Sequence, residues 1–88
     1  MDRLKYIIYV KQGCEYSLVF PALESHDVMA KKMNADIVLS AGFCNFNLNN
    51  GGTLGIRCYG RSVTLDIDSR PEDDMRVTID YLGFGYEP

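Results

Sequence analysis

The amino-acid sequence predicts an α+β protein whose elements follow the order ββαβββα, with a mostly antiparallel sheet and helices on one face. Two observations support this fold class. Short β-prone runs are separated by tight-turn residues, which is typical of antiparallel neighbours. Two further segments begin with helix-capping residues. The length of 88 residues fits a single domain over residues 1–88.

The first two strands form a predicted hairpin. Residues 4–11 are rich in Ile, Tyr and Val on both alternating faces, so this strand should be buried on both sides. Gln12-Gly13 supplies a turn, and residues 15–20 form the return strand. Pro21 ends the strand because it cannot donate a backbone hydrogen bond.

A short helix and a long strand follow. Ser25 is a predicted N-cap for a helix over residues 26–33. Residues 36–48 form a strand whose apolar parity changes after Gly42, which indicates a bulge or bend there. The Asn-Asn-Gly-Gly run at residues 49–52 is typical of a hairpin turn.

Two more strands are predicted after that turn. Residues 53–59 and 62–68 both alternate between apolar and polar side chains, so each should have one face toward the core. Gly60 lies between them as a turn residue. The inward residues are Leu54, Ile56 and Cys58 on the first and Val63, Leu65 and Ile67 on the second.

The last element is a predicted helix that ends at Gly83. Ser69 and Glu72 fit a capping box, and acidic residues suit the first turn of a helix. The alternative is a sixth strand, because residues 77–81 also alternate and are β-prone. The capping residues favour the helix, whose apolar stripe would be Met75, Ile79 and Leu82.

Charge and cysteine content narrow the function classes. The net charge of −3 opposes a nucleic-acid binder, since such proteins usually carry a basic excess. Cys14, Cys44 and Cys58 are odd in number and widely spaced, which fits reduced thiols in the cytosol better than a disulfide scaffold. The apolar run over residues 6–10 is too short for a signal peptide or a membrane span.

Catalytic and metal sites are not predicted. A cysteine nucleophile would need His26, the only histidine, as its base, whereas Cys44 and Cys58 face inward on neighbouring predicted strands. Zinc ligands normally come in close pairs, which this chain lacks. The acidic residues between positions 66 and 74 fit a solvated strand face and a helix N-terminus. We therefore expect no enzyme activity, no metal and no cofactor.

A binding surface is predicted instead. Tyr and Arg are the residues most enriched at binding hot spots. Several of them lie at the end of the fourth strand, on its predicted outward face, and two aromatic residues lie in the C-terminal tail. The predicted binding residues are Arg57, Tyr59, Arg61, Ser62, Phe84 and Tyr86.

The chain resembles a group of small uncharacterised bacteriophage and prophage proteins over about residues 16–82. Four motifs carry the resemblance: His26-x-x-Met29-Ala30, Ser40-Ala41-Gly42-Phe43, Cys58-Tyr59-Gly60-Arg61-Ser62 and Ser69-Arg70-Pro71-Glu72-Asp73. The resemblance implies a phage accessory protein that works in the bacterial cytoplasm by binding a host protein. A component of an antiphage defence such as a CRISPR complex is one such target. No site residues carry over, because these motifs have no known chemistry.

Two other functions stay open. Arg57, Tyr59 and Arg61 could stack on and pair with a nucleotide, which would make the chain a small-ligand binder. A cysteine-dependent enzyme is the third hypothesis. A homodimer would suit so short a chain, since small domains bury little of their surface.

Overall fold

A four-stranded antiparallel sheet forms the centre of the protein, in a computed structural model that describes residues 4–48 and 54–82. The strand order is β2-β1-β3-β4, and β5 pairs with β6 in a separate two-stranded ribbon. The α+β class and the antiparallel sheet are confirmed. The elements are β1 Leu4–Lys11, β2 Cys14–Pro21, α1 His26–Lys32, β3 Ile37–Leu48, β4 Leu54–Tyr59, β5 Arg61–Ser62, β6 Ile67–Asp68 and α2 Pro71–Leu82.

The first hairpin has the predicted turn. Gln12 and Gly13 have φ angles of 52° and 80°, and two positive φ values in a two-residue loop define a type I′ turn. This turn places Lys11 opposite Cys14 and fixes the register of β1 against β2. The four residues from Tyr6 to Tyr9 are all buried, so β1 is covered on both faces as predicted.

The two helices pack on opposite faces of the sheet, so the prediction of helices on one face is wrong. Successive residues of β1 point to opposite faces. Tyr6 and Ile8 contact the α2 residues Met75, Val77 and Ile79. Ile7 and Tyr9 lie in a cluster that packs against Met29 and Ala30 of α1 and Met33 at its C-cap, together with Leu65 and Ile67 of the β5–β6 segment. We call these sides the α2 face and the α1 face.

The irregularity in β3 lies at Leu39 and not at the predicted Gly42. Ile8 is opposite Ser40, whereas Tyr9 is opposite Val38, so Leu39 is the extra residue. Gly42 has a different role, because a Cβ atom there would lie 2.4 Å from the carbonyl oxygen of Tyr59. The glycine therefore permits close approach of the chain that leaves β4.

The predicted strand over residues 62–68 is wrong, because the segment folds back as a small hairpin. Residues 63–66 form a turn between β5 and β6. The hydroxyl of Ser62 accepts a hydrogen bond from Leu65 N at 3.1 Å, and Asp66 has φ 55°, which aspartate tolerates. Val63, predicted to face the core, is 80% exposed in this turn.

The last element is a helix, as predicted, and the alternative sixth strand is wrong. It begins at Pro71, a favoured first helical residue, so Arg70 and not Ser69 occupies the N-cap. The capping contacts are also different from the predicted box. Arg70 N donates to the Asp74 carboxylate at 2.7 Å, while Asp74 N donates to the Arg70 carbonyl at 2.7 Å.

The remaining boundaries agree closely with the sequence. Ser25 is the N-cap of α1, and Asn34 ends the helical segment with φ 53°. β3 and β4 pair as predicted, with Leu48 opposite Leu54. The predicted Asn-Asn-Gly-Gly turn lies outside the described residues.

Candidate functional site

Two of the predicted binding residues form a stacked pair on the α1 face. Arg57 is exposed and places its guanidinium carbon 5.6 Å from the centre of the Tyr59 ring. Tyr59 in turn stacks on Phe43 of the neighbouring strand, with ring centres 6.0 Å apart and planes at 27°. Both residues are on one face of β4 because they are two positions apart in a strand. We call Arg57 and Tyr59 the β4 platform.

A row of rings supports this platform from below. Phe43 meets His26 edge to face at 6.1 Å, and His26 meets Phe20 in the same way at 5.7 Å. Edge-to-face and offset stacking are the preferred aromatic arrangements. The row therefore runs from the exposed Arg57 to Phe20, which is 3% exposed.

His26 is a buried part of this row, although it is the first residue of α1. Its Nε2 atom lies 2.8 Å from the carbonyl oxygen of Gly42, and a carbonyl can only accept, so Nε2 carries the proton. Burial lowers the pKa of the imidazole, while the bond to Gly42 raises it to a lesser extent. The neutral ring thus ties the start of α1 to the middle of β3.

Arg61 and Ser62 are arranged differently from the β4 platform. Arg61 binds two acids of its own hairpin, Asp66 and Asp68, with Nε 2.9 Å from the Asp68 carboxylate. Ser62 is fully buried, and its hydroxyl accepts the turn hydrogen bond described above. Phe84 and Tyr86, the other predicted binding residues, lie outside the described residues. The structure therefore brings Arg57 and Tyr59 together and directs Arg61 and Ser62 to local contacts.

A second cluster, which the sequence did not predict, surrounds Asp74 on the α2 face. The Asp74 carboxylate accepts hydrogen bonds from the hydroxyl of Tyr6 and from Ser40 Oγ, the latter at 2.6 Å. Arg70 adds its backbone N at 2.7 Å and its Nε at 3.2 Å. Asp74 lies in the first turn of α2, as predicted, and it is 0% exposed. We call these four residues the Asp74 cluster.

The Asp74 cluster joins the start of α2 to the two central strands. Burial and the bond to Asp74 both raise the pKa of Tyr6 far above its usual value, so the phenol stays protonated and donates. Tyr6, Ser40 and Asp74 are all 0% exposed. An unpaired carboxylate would be costly at this position, whereas a carboxylate with several donors fixes one arrangement of the helix on the sheet.

The sequence contained a signal for this cluster. Tyr6 lies in a strand predicted to be buried on both faces, and a buried tyrosine hydroxyl needs a partner. Ser40 likewise interrupts an apolar strand. Neither residue indicates which acid is the partner, because Asp74 is 68 positions away from Tyr6.

The cysteines are placed largely as predicted. Cys44 and Cys58 are both buried, face α2 and lie opposite each other on β3 and β4. Burial raises the pKa of Cys44 to about 11 and that of Cys58 to about 12, which disfavours the nucleophilic thiolate. His26 lies on the α1 face, so these two thiols and the imidazole are on opposite sides of the sheet. Cys14 is exposed beside the first turn.

A groove lies elsewhere on the α1 side. It has a volume of about 520 Å³ between α1, the start of β3 and the β5–β6 turn, and its lining includes Asp27, Lys31, Asp36, Ile37 and Leu65. Arg57, Tyr59 and Arg61 do not line it. Over residues 4–48 and 54–82, no group of three or more His, Cys, Asp or Glu side chains is arranged to hold a metal ion.

No protein-family model, curated protein or solved structure matches the chain. None of the helices in the described part of the chain is long and apolar enough to cross a membrane.

Proposed function

We propose that this chain is a phage-type accessory protein that acts by binding a bacterial host protein in the cytoplasm. Antiphage defence proteins, including CRISPR complexes, are the first partners to examine. The observation that carries the proposal is the β4 platform, an exposed arginine stacked on a tyrosine. Arg and Tyr dominate binding hot spots because each combines a large contact area with directed polar groups.

The rings that pack beneath the β4 platform should lower the free-energy cost of binding a partner. Association costs about 0.5–1.5 kcal/mol for each flexible side chain that becomes ordered. Tyr59 is already held by Phe43, and Phe43 is held by the buried His26. Part of the entropy loss of ordering Tyr59 therefore occurs on folding and not on binding.

The charge of Arg57 indicates the chemistry of the partner. Among residues 4–48 and 54–82, no carboxylate forms a salt bridge with Arg57, whereas Arg61, Arg70 and Arg76 each have at least one such partner. The guanidinium can therefore bind a carboxylate of another protein through two parallel hydrogen bonds. We propose that the partner presents an acidic residue beside an apolar or aromatic surface that covers Tyr59.

A pull-down with matched variants tests the proposal. Tagged wild-type protein should retain one stoichiometric partner from infected or uninfected bacterial lysate, and the purified partner should bind directly in calorimetry. Arg57→Glu should weaken that binding at least 10-fold, which is about 1.4 kcal/mol. Arg76→Glu is the matched control, because Arg76 is an exposed arginine on the other side of the sheet.

Two outcomes contradict the proposal. One is that neither lysate yields a stoichiometric partner. The other is that Arg57→Glu and Arg76→Glu bind the partner as tightly as the wild type does, which would place the interface elsewhere.

Nucleotide binding is the second candidate, because a base can also stack on an Arg–Tyr pair. The pairing of Arg61 with Asp66 and Asp68 weakens this candidate, since Arg61 is one of the three residues predicted to stack on or pair with the nucleotide. A nucleotide ligand should raise the melting temperature of the purified protein. No thermal shift across a nucleotide panel would eliminate it.

The cysteine-enzyme hypothesis and the homodimer prediction each have a direct test. Rapid alkylation of one thiol near neutral pH would support a reactive cysteine, and slow labelling of all three would exclude it. Sedimentation of the purified chain measures its mass in solution and so decides whether it forms a dimer.

A further inference from the structure

Cys44 and Cys58 form a cross-strand pair of free thiols. They lie directly opposite each other in the β3–β4 ladder. Both are buried in the same cluster, beside Tyr6 and Ile8, and both side chains point to the α2 face. Neither forms a disulfide in the structure.

The hydrogen-bond alternation of the sheet defines the geometry of this pair. The two-residue turn makes Lys11 and Cys14 a hydrogen-bonded pair, so the odd-numbered residues of β1 bond to β2 and the even-numbered ones bond to β3. The bond from Asp36 N to the Val10 carbonyl at 2.8 Å agrees with this assignment. Cys44 is opposite Leu4 and therefore directs its backbone groups toward β1.

It follows that Cys44 and Cys58 are a non-hydrogen-bonded pair of the β3–β4 ladder. The position of Tyr59 supports this independently, because its carbonyl oxygen points toward Gly42 on β3. Opposed residues at non-hydrogen-bonded positions have Cα atoms about 4.5 Å apart, closer than at hydrogen-bonded positions. That spacing is at the lower end of the range for disulfides, about 4.4–6.8 Å.

We propose that Cys44 and Cys58 are a modification site, which a peroxide oxidises to an intramolecular disulfide that cross-links β3 to β4. In the first step one thiolate attacks a peroxide oxygen, the O–O bond breaks, hydroxide leaves and takes up a proton to give water, and the cysteine becomes a sulfenic acid. In the second step the other thiolate attacks that sulfur, the S–O bond breaks, and water leaves. Two thiols and one hydrogen peroxide thus give one disulfide and two waters.

The oxidation depends on opening of β4. Both thiols are buried and their raised pKa values keep them protonated, so reaction in the closed state is slow. Among residues 4–48 and 54–82, β4 is an edge strand of the sheet and pairs only with β3, which allows it to separate more readily than a central strand. The rate of disulfide formation should therefore increase with pH and with mild denaturant.

The cross-link has a consequence for stability. It closes a loop of 15 residues, counted from residue 44 to residue 58 inclusive. Such a loop constrains the unfolded chain, and the short spacing introduces some strain that offsets the gain. We expect the melting temperature of the oxidised protein to rise by roughly 5–10 °C. This inference does not depend on the proposed partner binding.

Mass spectrometry of the native, reduced protein after hydrogen peroxide treatment tests the proposal. The intact mass should fall by about 2 Da, the mass of two hydrogen atoms, and only one thiol should alkylate after unfolding. Peptide mapping should link the segment containing Cys44 to the segment containing Cys58. A reducing thiol should restore the original mass and melting temperature.

Variants separate this cross-link from other oxidation products. Cys14→Ser should still lose about 2 Da, because the exposed Cys14 is not part of the pair. Cys58→Ala should not lose it, and circular dichroism will show whether that variant is folded. Peptide mapping of the wild type remains decisive if it is not. Three alkylatable thiols after treatment, sulfinic acid as the main product, or a linkage that includes Cys14 would overturn the proposal.

Discussion

Removing the hydroxyl of Tyr6 should measurably destabilise the protein. Tyr6→Phe keeps the ring in the core but removes one donor from the buried Asp74 carboxylate. Hydrogen bonds to charged groups contribute about 1.5–3 kcal/mol, so we expect a loss of about 2 kcal/mol. A loss of about 2 kcal/mol should lower the melting temperature of a domain of this length by roughly 8–16 °C. The loss is a large fraction of the total stability, which is roughly 4–13 kcal/mol for this length.

Urea unfolding followed by circular dichroism measures this loss. Tyr81→Phe is the matched control, because Tyr81 is 55% exposed and its substitution should change stability by less than about 0.5 kcal/mol. Asp74→Ala should cost more than Tyr6→Phe, about 3–5 kcal/mol, since it leaves several buried donors and Arg70 without their acceptor. In the Asp74→Ala background, Tyr6→Phe should be nearly neutral.

Two results would refute this reasoning. If Tyr6→Phe stays within about 0.5 kcal/mol of the wild type, the hydroxyl contributes no net stability. If the costs of Tyr6→Phe and Asp74→Ala simply add in the double variant, the two side chains are not coupled.

Three further substitutions or conditions test other parts of the fold. Gly42→Ala should destabilise by about 2 kcal/mol or more, because the new Cβ would meet the Tyr59 carbonyl at 2.4 Å and the backbone must shift; thermal unfolding measures this. Because the pKa of His26 is lowered in the folded state, its contribution to the free energy of unfolding should be fully present above about pH 6.5 and should decrease as the pH falls below that value. The pH–stability profile of His26→Phe should lack this decrease. Ser62→Ala should cost about 1 kcal/mol in urea unfolding, because Leu65 N loses its acceptor.

The sequence was sufficient where local patterns determine structure. The apolar residues on both faces of β1 predicted a strand covered on both sides, and Tyr6 to Tyr9 are all buried. The type I′ turn follows from Gln12-Gly13, since glycine readily adopts positive φ. The capping residues before α2 correctly favoured a helix, although its first residue is Pro71.

The sequence was insufficient to predict features that depend on contacts between residues far apart in the chain. Which face each helix covers depends on how the chain crosses the sheet, and hydrophobic alternation in a strand buried on both sides does not specify it. The turn between β5 and β6 has no Asn-Gly signal and uses the Ser62 hydroxyl together with the left-handed Asp66. The Asp74 cluster joins residues from β1, β3 and α2, so the local patterns around Tyr6 and Ser40 do not identify Asp74 as their partner.

The predicted binding residues illustrate the same distinction. Arg57 and Tyr59 share a face because they are two positions apart in a strand, and the sequence predicted that shared face. Arg61 and Ser62 continue the same motif, but Gly60 has φ 79° and turns the chain away from β4. The side chains of Arg61 and Ser62 therefore make contacts within the β5–β6 hairpin. They do not join the β4 platform, although they are close to it in sequence.

The two faces of the sheet suggest that stability and binding can be separated experimentally. The Asp74 cluster lies on the α2 face, where Tyr6 and Ser40 are inaccessible to a partner. The β4 platform lies on the α1 face, where Arg57 is exposed and contributes mainly a cation–π contact to folding. Arg57→Glu should therefore reduce partner affinity at an almost unchanged melting temperature. Tyr6→Phe should lower the melting temperature and leave the affinity of the folded fraction unchanged. If both variants changed both quantities, the platform and the core would be one coupled unit, and the β4 platform would not be an independent binding surface.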